Sequence, residues 1–489
     1  MKVCIVRLIA ALLVICFTVL PLASCSDDGT EKAETTAAAS SVENTWKKDS
    51  LPEGLDYSGE TVRIFSRRDG WYYDELTLES NEVANIINES VYDREAFVED
   101  RLGFDIRVQK ENVGTDYGKL ERMARTYFES DIDAFDIIAG HSYFSLPLST
   151  DGMIYDLREV DNVELSEPWY AQNFIELSTL NDKTFFVAGD ATLSMTRFVF
   201  VTFVNLDIAS NYGINDIYSV VDNKEWTSDY LASVVAGVHD DLNSSGSADA
   251  GDLFGLGVTT ATGIDLFCSS YDLKIINKND EGVLDIAMDG DKCSAAVDKI
   301  RDLYYNNPGT YVDMAGYESM MESFSSDEYL FTNLRLVSVE DGSYINMESD
   351  YGIIPTPMWD GDQENYQSFV HDEYTVMGIM GTAKEERLSM LGAFLEAFSN
   401  YSYNETREVY FELALKGRYA RDEASRRMLD LIIDSIYLDA GWIFSGCLGD
   451  FALIFREIVP NRNLNWTSFY RSKLSIVKKY VTDLNEAYQ

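Results

Sequence analysis

One stretch of the chain has the residue types and spacing of a hard-cation site. In Asp241-Leu242-Asn243-Ser244-Ser245-Gly246-Ser247-Ala248-Asp249-Ala250-Gly251-Asp252, oxygen-bearing side chains fall at positions 1, 3, 5, 9 and 12 of a twelve-residue loop, with Gly at position 6. Calcium takes oxygens from alternate positions, a backbone carbonyl at position 7, and Gly where the chain turns back on itself. The expected ligands are Asp241, Asn243, Ser245, Ser247, Asp249 and Asp252, in a loop that follows a helix as in an EF-hand. Ser at position 5 and Asp at position 12, where a bidentate Glu is usual, weaken the set. The same loop could close through Asx turns without metal. Bound calcium here would be a structural clamp, because a catalytic metal needs an open site near other chemistry.

Elsewhere reactive residues are sparse. His141, His239 and His371 are the only imidazoles, which excludes a His-rich metal centre. The sequence has no G-x-S-x-G, no H-E-x-x-H and no P-loop, and Gly255-Leu256-Gly257 lacks the third Gly and the helix start of a nucleotide fingerprint. Acids outnumber bases 83 to 39, a net charge of −44. A polyanion of that size does not bind nucleic acid or anionic lipid through its own field, and a neutral or cationic ligand is favoured. A solvated acidic surface that keeps the protein soluble accounts for the excess. Among so many acids, carboxylate pairs fit for glycoside hydrolysis arise by accident, and sequence does not encode their separation.

The elements that must position these residues begin after a leader. Lys2 and Arg7 precede an apolar run over 8–20, and Leu22-Ala23-Ser24-Cys25 closes it, so residues 1–24 read as a cleaved signal peptide, shorter than the ~20 apolar residues of a membrane span. Leu-Ala-Ser-Cys resembles the bacterial lipobox, which implies lipid on Cys25 and a place on the outer face of the cell membrane. Residues 25–56 read as a flexible tether, rich in Ser, Thr, Ala and acids. Of six Cys, Cys268, Cys293 and Cys447 remain after Cys4, Cys16 and Cys25; buried free thiols are the expectation, although Cys268 and Cys293 could pair.

Thr61-Val62-Arg63-Ile64-Phe65 predicts a strand, 82–101 a helix, Phe104-Asp105-Ile106-Arg107-Val108 a strand, 120–128 a helix and Phe135-Asp136-Ile137-Ile138-Ala139-Gly140 a buried strand. Strand, helix, strand, helix, strand with short connections predicts a parallel α/β sheet. Ligands of such sheets sit outside the carboxyl ends of the strands. Two loops qualify, one with Trp71, Tyr72 and Tyr73, the other with His141, Tyr143 and Phe144, although any single aromatic could equally be packing. Thr184-Phe185-Phe186-Val187-Ala188-Gly189-Asp190 and the apolar run 198–205 predict strands of a second sheet, and a helix over 226–238 is opened by Thr227.

Taken in order, four stretches resemble the extracellular solute-binding proteins of bacterial ABC importers, the broad family of the maltose-binding protein. They are Phe135 to Gly140 with Leu146-Pro147-Leu148 and Tyr155-Asp156-Leu157; 186–194; 201–213 with Trp226-Thr227 and the calcium-like loop; and Tyr351-Gly352-Ile353-Ile354-Pro355-Thr356-Pro357 leading to Glu364-Asn365-Tyr366. The late stretch 410–442 matches a subgroup. The resemblance covers the mature chain and implies a type II periplasmic-binding-protein-like α/β fold: a first lobe of 57–192 and 375–430, and a second of 193–374 and 431–489. It places crossings near 190–197 and 371–381, and a ligand in the cleft between the lobes. On that mapping the cleft residues are Trp71, Tyr72, His141, Tyr143, Asp190, Asp372 and Trp442, aromatics that stack on sugar CH faces and acids that accept hydroxyl protons. The implied ligand is a sugar or oligosaccharide, the implied partner an ABC permease, and no cofactor is required beyond the possible calcium. The competing readings are a secreted hydrolase with paired carboxylates and a tethered sensor with the same lobes.

Overall fold

The computed structural model describes residues 46–68, 75–78, 82–288 and 290–489. The expected signal peptide, the expected lipidation site Cys25 and most of the expected tether lie outside them. Lys47–Gln489 forms one compact unit, organised on two sheets. In the first, the run at Thr61 becomes β1 (Thr61–Arg68), parallel to β2 (Asp105–Asn112) and β3 (Ile137–His141), with α1 (Ile86–Leu102) and α2 (Lys119–Glu129) as the connections. α1 begins where the Asn85 side chain accepts the Ile87 and Asn88 amides at 2.9 and 3.0 Å. It ends at Gly103, whose φ of +80° is the left-handed conformation that glycine adopts without strain.

The second sheet contains β4 (Phe200–Asn205), β5 (His239–Asp240), β6 (Leu253–Val258), β7 (Thr310–Val312), β8 (Tyr329–Arg335) and β9 (Tyr351–Ile354). Its order is β9-β4-β8-β6-β5, with β7 also paired to β6. Every residue of β4, β6, β8 and β9 is buried, as strands covered on both faces require. β10 (Thr375–Ile379) returns to the first sheet and lies antiparallel to β3, giving β10-β3-β1-β2.

The connections add short helices: α3 (Ser142–Ser145) directly after β3, and α4 (Ser228–Val235), which is capped by Thr227 accepting the Tyr230 amide at 3.2 Å. Later come α5 (Leu388–Tyr401), α6 (Glu423–Asp434) and α7 (Ala440–Ile443). Leu391, Phe394, Leu395 and Phe398 of α5 pack over Ile64, Ile137 and Met377 of the first sheet.

Among the described residues, three segments pass between the sheets. Residues 188–199 run from the Val187–Met377 bridge to the Val199–Val370 bridge beside β4. Residues 370–374 return: the His371 amide donates to the Phe198 carbonyl at 3.0 Å, and the Ser142 amide to the Tyr374 carbonyl at 3.0 Å. The third segment continues α5 through the wider turns of Ser402–Thr406 and Val409–Tyr419, after which α6 packs on β9. Arg94 of α1, fully buried, ties two of these crossings to the first lobe. Its Nη1 donates to the Ala191 carbonyl at 2.9 Å and to Ser402 Oγ at 2.8 Å, and its Nη2 to the Leu76 carbonyl at 3.0 Å. A guanidinium taken out of water needs such partners; both terminal nitrogens of Arg94 have them, and its Nε has none among the described residues.

Three local expectations change. Residues 184–190 make only isolated bridges, Val187 to Met377 and Gly189 to Tyr170. At Gly189, φ is +141° and a Cβ would stand 2.4 Å from the Trp169 carbonyl, so close approach of two backbones bends the chain out of a ladder. The calcium-like loop does not follow a helix directly: α4 ends at Val235, β5 intervenes, and the loop exits into β6, so the EF-hand's helix pair is absent. Cys268 and Cys293 are both buried and are not joined by a disulfide, and Cys447 is half-buried. Among the described residues, no helix is long and apolar enough to cross a membrane.

Candidate functional site

The topology brings the ends of β1, β3 and β8 to the second crossing. His141 ends β3 and pairs in register with Thr375, the first residue of β10. Arg335 ends β8 opposite Phe200, where β4 begins. Between them, residues 371–374 thread the two sheets together, so side chains there meet groups from both lobes.

Glu373 is the meeting point. Arg67, near the end of β1, donates from Nη2 to the Glu373 carbonyl at 2.5 Å, and Arg335 donates from Nη1 to its carboxylate at 2.5 Å. Burial alone would raise the Glu373 carboxyl, but the positive charges around it in the acid range where it titrates, that of His371 first and then those of Arg335, His141 and Arg67, outweigh it and hold the group down at about 2. Arg335 is further sandwiched by Tyr317 and Phe198, 4.6 and 5.2 Å from the ring centroids.

The neighbours of Glu373 titrate in the opposite sense. Asp372 is buried and pushed up to about 7, with Arg456 opposing the shift. His371 is held down at about 3 by burial. Its Nδ1 lies 3.5 Å from Asp372 Oδ1 and 3.6 Å from Glu373 Oε2, yet neither ring nitrogen makes a hydrogen bond among the described residues. His141 is likewise lowered well below its ordinary value by burial and by the Arg67 charge. Two neutral imidazoles, each able to donate and accept once, therefore flank one ionised and one near-neutral carboxyl.

The late part of the chain closes this cluster. Asp439 accepts the Ile275 and Ile276 amides at 3.0 and 3.2 Å and caps α7 through the Gly441 amide at 2.6 Å, which fixes Trp442. Trp442 packs on Phe369, centroids 4.7 Å apart, and its Nε1 has no hydrogen-bond partner among the described residues. α7 also packs on α3, which carries Tyr143. The Tyr143 hydroxyl donates to Asp450, and Gly446 approaches so closely that a Cβ there would lie 2.1 Å from the Tyr143 carbonyl.

Of the residues expected in the cleft, His141, Tyr143, Asp372 and Trp442 surround the second crossing. Asp190 stands apart at the first crossing, 3.6 Å from Arg407, with its carboxyl pushed up to about 7 by burial. Trp71 and Tyr72 lie outside the described residues. Arg67, Arg335, His371 and Glu373 were not singled out from sequence. Their signal was positional: Arg67 and Arg335 close buried strands, and His371 and Glu373 flank Asp372. A second buried cluster joins the first crossing to the second lobe. There Arg197 meets Glu340 at 2.9 and 3.1 Å, and Tyr410 donates to the same carboxylate at 2.9 Å.

No protein-family model and no curated protein matches the chain. Solved structures do. The galacto-N-biose-/lacto-N-biose I-binding protein of the ABC transporter from Bifidobacterium longum, in complex with lacto-N-biose, is 11% identical, covers 86% of this chain and 97% of that chain, and gives a TM-score of 0.57. The GacH receptor of Streptomyces glaucescens, described unliganded and with acarbose, is 12% identical over 88% of this chain and 100% of that chain, TM-score 0.54. Maltose-bound MalE3 of T. maritima is 15% identical over 86% and 99%, TM-score 0.52. At such identity the likeness is one of fold, and with the two crossed sheets described above it establishes that this chain has the two-lobed type II periplasmic-binding-protein fold.

Proposed function

We propose that this chain is a lipid-anchored extracellular solute-binding protein that captures a sugar or oligosaccharide between its lobes and delivers it to an ABC permease, without chemical turnover. The observation that carries the reading is the second crossing. There, neutral hydrogen-bonding groups (His141, His371 and near-neutral Asp372) and the Trp442 indole stand between the strand ends of both sheets. Uncharged donors and acceptors beside an aromatic face suit a neutral polyol, whereas an ionic ligand would displace the Arg67–Glu373–Arg335 linkage. The fold neighbours are in keeping with this, their structures holding lacto-N-biose, acarbose and maltose.

In the mechanism, a ligand touching groups of both sheets has its full contact set only when the lobes are together. Its binding free energy therefore shifts an open–closed equilibrium. The crossings take up the motion, and the permease distinguishes the closed state. The test is thermal unfolding and calorimetry of the purified chain against lacto-N-biose, maltose, acarbose and monosaccharides, with product analysis in parallel. A ligand at about 100 times its Kd adds about 2.7 kcal/mol of stability. Stabilisation by one sugar class without new products supports the reading, whereas cleavage of a glycan overturns it in favour of a carboxylate-pair hydrolase.

A further inference from the structure

We infer that the exposed face of the C-terminal helix docks on anionic lipid headgroups, and so sets which side of the tethered protein lies against its membrane. Acids outnumber bases 83 to 39 in the chain, yet residues 458–482 hold no Asp or Glu and five cations, Arg462, Arg471, Lys473, Lys478 and Lys479. No longer acid-free run occurs after Asp27. Most of the run lies in α8 (Trp466–Ala487), which opens where the Asn465 side chain accepts the Ser468 amide at 3.3 Å. Trp466, Val477, Val481 and Leu484 are its buried residues, and it packs on the helix Gly290–Arg301. Arg471, Ser475 and Lys478 are exposed at i, i+4 and i+7, and beside them Ser472, Ile476 and Lys479 repeat the spacing. Such spacings share one side of a helix.

Neighbouring acids leave part of that charge uncompensated. Lys473 meets Glu457 at 2.8 Å, and Lys479 pairs with Asp483. Arg471 and Lys478 make no ion pair among the described residues. The acids gather at the far end of the helix: Asp483 and Glu486 lie in its last turns, and Asp285 belongs to the strand Leu284–Ile286, whose Leu284 amide donates to Asn485 at 2.9 Å. Ile476, 42% exposed, puts an apolar side chain among the cations. At 22 residues the helix is a rod of about 33 Å, so its cations form a row, the shape that meets a flat charged surface.

A chain of net charge −44 is repelled as a whole by an anionic surface. Salt at physiological strength screens that repulsion beyond about 8 Å, so a surface in contact responds to the nearest charges, and on this face they are positive. The membrane is favoured over a soluble anion by where the chain begins. Lys47 is tied to the folded unit, its amide donating to Asn404 Oδ1 at 2.7 Å and its carbonyl accepting from Asn400 Nδ2 at 2.8 Å. The expected lipid on Cys25 lies 22 positions earlier, and a chain of that length spans up to about 75 Å. An anchored protein meets headgroups at a high effective concentration, so a weak patch suffices to orient it. The inference rests on the anchor of the proposed function for its setting, and not on the ligand.

The experiment is flotation of the purified, unlipidated chain with vesicles of phosphatidylglycerol and phosphatidylcholine in equal parts, and with vesicles of phosphatidylcholine alone, at about 20 and about 300 mM salt. Each cation near an anionic surface is worth about fivefold in partition. The expected result is at least about tenfold more binding to the anionic vesicles at low salt, lost at high salt. R471Q/K478Q, changed at exposed positions away from the candidate ligand site, should lose at least about tenfold of that binding with an unchanged unfolding midpoint. Acetylation of Lys478 in the unmodified chain should slow on anionic vesicles while that of Lys384, exposed ahead of α5, does not. Equal binding to the two vesicles overturns the inference, and so does unchanged binding by a folded R471Q/K478Q. Binding to soluble polyglutamate without binding to vesicles also overturns it and gives the face to an acidic protein. Because the chain carries no lipid and the assay no sugar, these outcomes are read independently of the anchor and of ligand capture.

Discussion

If Glu373 links the lobes, neutralising it should remove the buried ion pair that Arg335 makes with it. In E373Q the side chain keeps its size and one oxygen but loses the charge that meets Arg335 at 2.5 Å. Relative side-chain exposures of 8% for Arg335 and 20% for Glu373 place the pair much nearer the buried limit than the surface one. A surface pair is worth roughly 0–1 kcal/mol, whereas breaking a buried pair from one side costs about 3–5 kcal/mol. The one-fifth exposure of Glu373 and the Tyr317 and Phe198 rings beside Arg335 point to the lower end, about 3 kcal/mol, or roughly a hundredfold in the folding constant. R335M should lose stability too, because the carboxylate loses this ion pair although the Arg67 charge remains nearby. The double variant should lose less than the sum, with a coupling of at least about 1 kcal/mol. Urea midpoints of the four proteins measure this directly. Losses that add to within about 0.5 kcal/mol would refute the linkage. The carboxyl is held near 2, below its unfolded value of about 4.3, so its contribution is fully present above the unfolded value and is lost only as pH falls from there through about 2.

Asp372 has the opposite sign. Its folded value of about 7 lies above the unfolded ~3.9, so its contribution is present at low pH and is lost as pH rises through about 7. D372N should therefore gain on the parent protein between pH 5 and pH 8, as chemical unfolding at the two pH values will report; an unchanged difference contradicts the assignment. G446A should destabilise by about 1–3 kcal/mol, because a Cβ 2.1 Å from the Tyr143 carbonyl forces α3 away from the chain around Gly446. T227A should lower stability by about 1 kcal/mol through loss of the α4 cap, with the cleft untouched.

The fold was legible where one residue class dominates a run. Val62, Ile64 and Phe65 marked β1, and Phe200 to Val204 a strand buried on both faces, because β-branched and aromatic residues at such density leave few alternatives. Residues 184–190 have the same composition, yet Gly189 is pressed against the Trp169 backbone, a tertiary contact that no local pattern carries. Strand-end logic led to His141, and the crossing to Asp372. Glu373, one of 83 acids, becomes distinctive only when Arg67 and Arg335, 268 positions apart in sequence, converge on it. Asp190 was legible as a crossing residue, but its neighbour Arg407 belongs to the third crossing, far along the chain.

The measurement that tests the account most directly is small-angle scattering of the purified chain with and without the sugar that gives the largest thermal shift, with the solution analysed for products afterwards. Capture by lobe closure requires a smaller radius of gyration in the presence of sugar and an intact sugar at the end. Binding with an unchanged radius, or a sugar consumed during the experiment, would contradict it.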